Sequence, residues 1–130
     1  MHLAVLHLAF DGALAKRRRA SMSARGWGVY HLHPTGAALT ALREFPPDVL
    51  AVEAESRQDE VLPILASLAA ERHRRGGHFP VVVVGAGPDI GCDWPETPPG
   101  WRCFLPAGAS DAEVEAACLA VAGLRREALA

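Results

Sequence analysis

Phe45-Pro46-Pro47-Asp48-Val49-Leu50-Ala51-Val52-Glu53-Ala54 decides the fold of this chain. The two prolines stop a helix, because proline lacks a backbone N–H and clashes with the preceding turn. Asp48 opens a strand, Val49–Val52 is its apolar run, and Glu53 closes it. A short apolar run between turn signals, with helical patterns on both sides, reads as a buried parallel strand. In open α/β sheets, ligands and chemistry collect outside the carboxyl ends of such strands. Glu53 sits at that end and is the first candidate functional residue.

Upstream, Leu3–Leu8 is a nearly unbroken apolar run and reads as a central strand. Asp11 is a candidate N-cap for a helix over Ala13–Ala24, and Gly26 stands where a helix C′ residue would. Val29–Leu32 is a second strand, His33–Gly36 a turn, and Ala37–Glu44 a helix that Thr35 could cap. Downstream, Asp59–Arg75 is amphipathic, with Val61, Leu62, Ile64, Leu65, Leu68 and Ala69 on one face. Pro63 belongs in its first turn, and Gly76-Gly77 ends it. Pro80 leads into Val81–Val84, the most strand-like run of all. Arg102–Leu105 is a fifth strand, and Ser110 with Glu113 forms a capping box for a last helix over Asp111–Leu129.

Strand and helix thus alternate five times, with one defect. Gly87–Gly100 carries Pro88, Pro95, Pro98 and Pro99 and has no apolar period, so the helix between strands four and five is predicted short or missing. The alternation predicts a doubly wound, five-stranded parallel α/β sheet of flavodoxin-like type, in the order 2-1-3-4-5. No repeat or composition break divides the chain, so residues 1–130 read as one domain.

The bulk numbers narrow the function. The chain has 130 residues, 50% hydrophobic and 22% charged, with a net charge of −2. That balance gives no reason to expect nucleic acid or an anionic membrane as the main partner. Met1–Phe10 lacks a basic leader and is too short to span a bilayer. Cys92, Cys103 and Cys118 lack metal-ligand spacing and read as reduced thiols of a cytoplasmic protein.

The pattern from Ala24-Arg25-Gly26-Trp27 through Thr40-Ala41-Leu42 to Pro46-Pro47-Asp48, with the later Phe79-Pro80-Val81–Val84, resembles response-regulator receiver domains. The resemblance spans essentially the whole chain. It implies a phospho-accepting Asp at the position of Glu53, an acidic pair for Mg²⁺ at Ala9 and Phe10 with Asp11 adjacent, a Thr or Ser at Gly85, and a Lys at Pro106 or Ala107. Every element of that phosphorylation site is replaced here. A single Glu beside Ala9 and Phe10 is a poor Mg²⁺ site, since the ion takes carboxylates and waters in near-octahedral geometry. Without cation or Lys, charge developing on a transferring phosphoryl group has little to stabilise it. The resemblance therefore implies a degenerate receiver, or pseudo-receiver. Two readings of Glu53 stand: a permanent negative charge where a phosphate would sit, or an ordinary solvated or capped carboxylate at a strand end.

Other constellations are weaker. Gly85-Ala86-Gly87-Pro88-Asp89-Ile90-Gly91 looks like a flavin- or nicotinamide-binding turn. However, its third glycine is one residue late, no helix follows, and no acidic residue ends the next strand. His7, His31 and His33 can be drawn as a metal set, but no Cys or second carboxylate completes it. Lys16-Arg17-Arg18-Arg19, with Arg25, makes the first helix basic; its default reading is a solvated face, its functional one an acidic partner.

These readings converge on a non-enzymatic, phosphorylation-independent protein-interaction or dimerisation module in bacterial signalling or transcriptional regulation. Its partner would be another protein, an attached output domain or a second copy, with no cofactor and no small-molecule substrate. By the family's habit, the contact surface lies on strands four and five and the last helix, with Trp94, Trp101, Phe104, Glu113 and Arg126 as candidates. The competing reading is a small-ligand or dinucleotide-binding protein that uses Gly85–Gly91.

Overall fold

The computed structural model describes residues 2–34, 36–44, 47–57, 59–61, 63–67, 80–86 and 101–129. Five strands form one sheet: β1 (Ala4–Leu8), β2 (Gly28–Leu32), β3 (Val49–Glu53), β4 (Val81–Val84) and β5 (Arg102–Leu105). All pairings are parallel and the order is β2-β1-β3-β4-β5, as the alternation of elements predicts. The helices are α1 (Gly12–Ala24), α2 (Gly36–Glu44) and α3 (Asp111–Leu129), and residues 59–61 and 63–67 are also helical. The segment expected to lack a full helix, Gly87–Gly100, lies outside the described residues.

Period-two alternation divides the sheet's side chains between two cores. Val5, Val49, Ala51, Val82 and Val84 pack with Met22 and Trp27 from the α1 side and with Val114, Cys118 and Val121 of α3. Leu6, Leu8, Leu50, Val52 and Val83 pack on the other face with Ala38 and Leu42 of α2 and with Val61 and Leu65. β1, β3 and β4 lie between layers and are nearly continuous apolar runs. This alternation has a consequence for the site. His7 falls on the same face as Val5, and Glu53 on the same face as Val49 and Ala51. Both polar side chains therefore point into the α1–α3 core.

The helix ends follow the chemistry expected of them. The Asp11 carboxylate accepts from the Ala13 and Leu14 amides at 2.8 and 3.4 Å, capping α1. Gly26 follows the C-cap of α1 with φ +92°, a left-handed conformation that glycine adopts without a Cβ penalty. Ser110 and Glu113 complete a reciprocal capping box: the Ser110 hydroxyl accepts from the Glu113 amide, and Glu113 accepts from the Ser110 amide. Its hydrogen bonds from Ser110 hold the exposed Glu113 carboxyl below its usual range. Asp11→Ala is expected to lower stability by about 1 kcal/mol, read from the urea midpoint with an unchanged m-value. An unchanged midpoint would mean that the loop supplies the cap by other means.

Candidate functional site

The site is built around the carboxyl ends of β1 and β3. Glu53 is the last residue of β3 and is 2% exposed. Its Oε1 accepts from Arg18 Nη2 at 3.0 Å, and its Oε2 lies 3.3 Å from His7 Nε2. An ionised carboxylate only accepts, so His7 must carry its proton on Nε2. Arg18 is 2% exposed and donates a second time, from Nη1 to Asp111 Oδ1 at 2.7 Å. Arg17, on the surface, reaches the same Asp111 carboxylate at 3.3 Å. The chain His7–Glu53–Arg18–Asp111 thus ties β1 and β3 to α1 and to the start of α3. Among the described residues, His7 Nδ1 and Arg18 Nε find no partner.

Electrostatics keeps Glu53 and Arg18 charged. Burial alone would push the Glu53 carboxyl up, but the hydrogen bonds from His7 and Arg18 and the guanidinium charge outweigh it and hold it below its ordinary 4.5. Burial likewise works against the Arg18 charge, and Glu53 and Asp111 outweigh it, raising the guanidinium above its ordinary value. The pair is therefore a buried ion pair, with both Glu53 oxygens held and the Arg18 Nε left without a partner among the described residues. That differs from a charge presented at a phosphate site and from a solvated carboxylate; the strand-end carboxylate is held by buried partners. The carboxylate neither meets solvent nor presents negative charge to a surface site, because the strand period turns it into the core, where a guanidinium neutralises it. Arg18 likewise leaves the solvated basic face assigned to its segment: it shares the inward stripe of α1 with Ala15 and Met22.

The remaining expected positions are spread around the same end of the sheet. Ala9 is fully buried and Phe10 half-buried, so neither offers a cation ligand. Asp11 is exposed and occupied as the α1 cap. Gly85 has φ +89°, and its amide donates to the Leu105 carbonyl at 2.8 Å, so that N–H is not offered to a pyrophosphate. Residues 87–91 of the glycine-rich turn lie outside the described residues. Pro106 and Ala107 are exposed in the turn after β5. On the expected contact surface, Trp101 is half-buried, Phe104 packs against the α2-side core, and Glu113 is exposed. Trp94 and the Arg126 side chain lie outside what is described.

Sequence reasoning missed Glu55. Its carboxylate accepts the Phe10 amide at 2.6 Å and the Asp11 amide at 2.9 Å, which clasps the loop after β3 to the loop after β1. Glu55 and Ser56 both have positive φ, +50° and +61°, a costly conformation for residues with a Cβ. The Arg57 guanidinium lies 4.6 Å from the Phe10 ring centroid. These residues, with Ala13, Leu14 and Arg17, line an open cleft of about 740 Å³. No sequence pattern marks this clasp, because its partners are main-chain amides 44 and 45 positions away.

The histidines do come together. His7 and His31 ring centroids are 5.7 Å apart, and His31 and His33 are 6.2 Å apart. Burial, then the neighbouring His7, holds His31 below its usual range. Among the described residues, no group of three or more His, Cys, Asp or Glu side chains could hold a metal ion. Cys118 is buried, with its thiol pushed up to about 12 by burial, and Cys103 is half-buried; both are free thiols, and Cys92 lies outside the described residues. Among the described residues, no helix is long and apolar enough to cross a membrane.

No protein-family model and no curated protein sequence matches the chain. Solved structures do. The chain is similar to the beryllofluoride-activated NtrC receiver domain, with a TM-score of 0.71 at 16% identity, covering 95% of this chain and 97% of that one. It is similar to a CheY-like response-regulator receiver domain from Methylobacillus flagellatus, with a TM-score of 0.69 at 16% identity over 93% and 99% of the two chains. The receiver domain of a modulated diguanylate cyclase from Desulfovibrio desulfuricans G20 gives 0.66 at 18% identity over 98% and 99%. At these identities the likeness is one of fold: the sheet and its helices are those of receiver domains.

Proposed function

We propose that this chain is a phosphorylation-independent, receiver-like module that acts through protein contacts in bacterial signal transduction, without enzymatic activity of its own. One observation carries the reading. The residue at the phospho-acceptor position is 2% exposed, with both carboxylate oxygens held by Arg18 and His7. An attacking carboxylate must reach a phosphoryl donor in line. Here it would first have to leave a guanidinium in a low-dielectric core. Ala9 and Phe10 supply no carboxylate for a cation that would balance the transferred charge. The Glu55 clasp joins the two loops by hydrogen bonds and so supports an assembled end of the sheet that needs no ion. A receiver fold that neither takes up a phosphoryl group nor holds Mg²⁺ is left with its surfaces, which fits binding to a partner protein, an output domain or a second copy.

The test is an amide NMR titration with Mg²⁺ and beryllofluoride, the phosphoryl mimic. Resonances of Ala9, Glu53 and Gly85 are expected to stay in place. Saturable shifts at these amides would show a working acceptor site and overturn the reading.

A further inference from the structure

Charge is unevenly distributed along this chain. From Gly12 to Arg43 there are six cations, Lys16, Arg17, Arg18, Arg19, Arg25 and Arg43, and no Asp or Glu. Residues 44–130 hold fourteen Asp and Glu against seven Lys and Arg. The fold gathers the basic third around the β2 edge of the sheet, with α1 on one face and α2 on the other. The acidic groups nearest α1 are already engaged. Asp11 caps the helix, Glu53 holds Arg18 inside, and Asp111 takes Arg18 at 2.7 Å and Arg17 at 3.3 Å. No carboxylate among the described residues pairs with Lys16, Arg19 or Arg25, and all three are exposed. His31 on β2 is held below its usual range by burial first and then by His7, with Arg19 the smallest contributor.

The shape suits a docking surface. Between the cations, the outer face of α1 carries Gly12, Ala13, Ala20, Ser23 and Ala24, all exposed and none bulky. Another chain can therefore approach closely enough for its carboxylates to hydrogen-bond the guanidinium groups. We propose that the outer face of α1 docks an acidic segment of a partner protein, through Lys16, Arg17, Arg19 and Arg25. From Lys16 to Ala24, just before Arg25, the helix rises about 12 Å, the span of about two turns of a partner helix. A protein segment fits better than nucleic acid. A duplex carries one charge per ~1.7 Å along its axis and would run past this short patch onto the acidic remainder of the chain. The proposal rests on the interaction-module reading and gives its partner a chemistry.

The experiment is a fluorescence-anisotropy titration of a dye-labelled, helix-forming Glu/Ala peptide with the full chain, at low and at physiological salt. Saturable binding that weakens with salt is expected, falling about tenfold or more in Lys16→Glu/Arg19→Glu. Arg25→Glu, outside the helix proper, serves as the second variant should the first fail to fold by circular dichroism, with a smaller loss expected. No saturable binding at low salt would overturn the proposal, as would tighter binding to a DNA oligonucleotide of equal charge. A negative result here leaves the beryllofluoride titration untouched. Conversely, beryllofluoride uptake would remove the module reading whatever the peptide does.

Discussion

Arg18→Met is expected to lower the stability of the chain by about 3–5 kcal/mol, measured as the loss in unfolding free energy in urea at pH 7. The size follows from what is left behind. Arg18 and Glu53 are each 2% exposed, and without the guanidinium the Glu53 charge keeps, among the described residues, only His7, at 3.3 Å. An uncompensated charge in the core is among the most expensive defects a point substitution can make. The reverse removal should cost less: in Glu53→Gln, Arg18 still has Asp111 at 2.7 Å, partly open to water. Replacing both charges together, as Glu53→Leu/Arg18→Met, should recover much of the loss, because a buried ion pair is worth little against apolar groups of similar volume. A single Arg18→Met loss below about 1 kcal/mol would place the pair in the energetic class of exposed ion pairs and contradict its burial.

The same network sets how the chain meets acid. The Glu53 carboxyl is held below 4.5 in the folded chain and returns to about that value on unfolding. Between the two values the unfolded chain binds more protons, so stability rises with pH. The contribution is therefore complete above about pH 4.5 and is lost as pH falls through the folded value. Glu53→Gln lacks this proton linkage. The variant should be less stable than the parent at pH 7, with the gap narrowing steadily below pH 4.5 until the two curves converge. Urea unfolding at a series of pH values from 7 to 3 reads this directly. Parallel curves for parent and variant would mean that Glu53 does not titrate as a buried, paired carboxylate.

Much of the fold was legible in the linear pattern. The apolar runs at Leu3–Leu8, Val49–Val52 and Val81–Val84 and the caps at Asp11 and Ser110 are local signals, and they appear where the residues place them. Alternation of strand and helix then leaves few topologies, and the observed order is the default among them. Part of the site was legible too, but unused. Period two puts His7 with Val5 and Glu53 with Val49 and Ala51, and Arg18 keeps helical spacing with Ala15 and Met22. Those spacings already point all three polar side chains inward.

The sequence by itself determined which residues form strands and helices and how they alternate. Only the tertiary structure decided what Glu53 became. Its partners are 46 positions away at His7 and 35 at Arg18, and whether they meet depends on how α1 lies across the sheet. It alone decided that Glu55 clasps two main-chain amides and that Arg18 leaves a basic face whose other cations stay outside. Periodicity is a property of neighbours along the chain. Neutralising a charge is a property of neighbours in space, where a few ångströms separate a buried ion pair from an uncompensated charge.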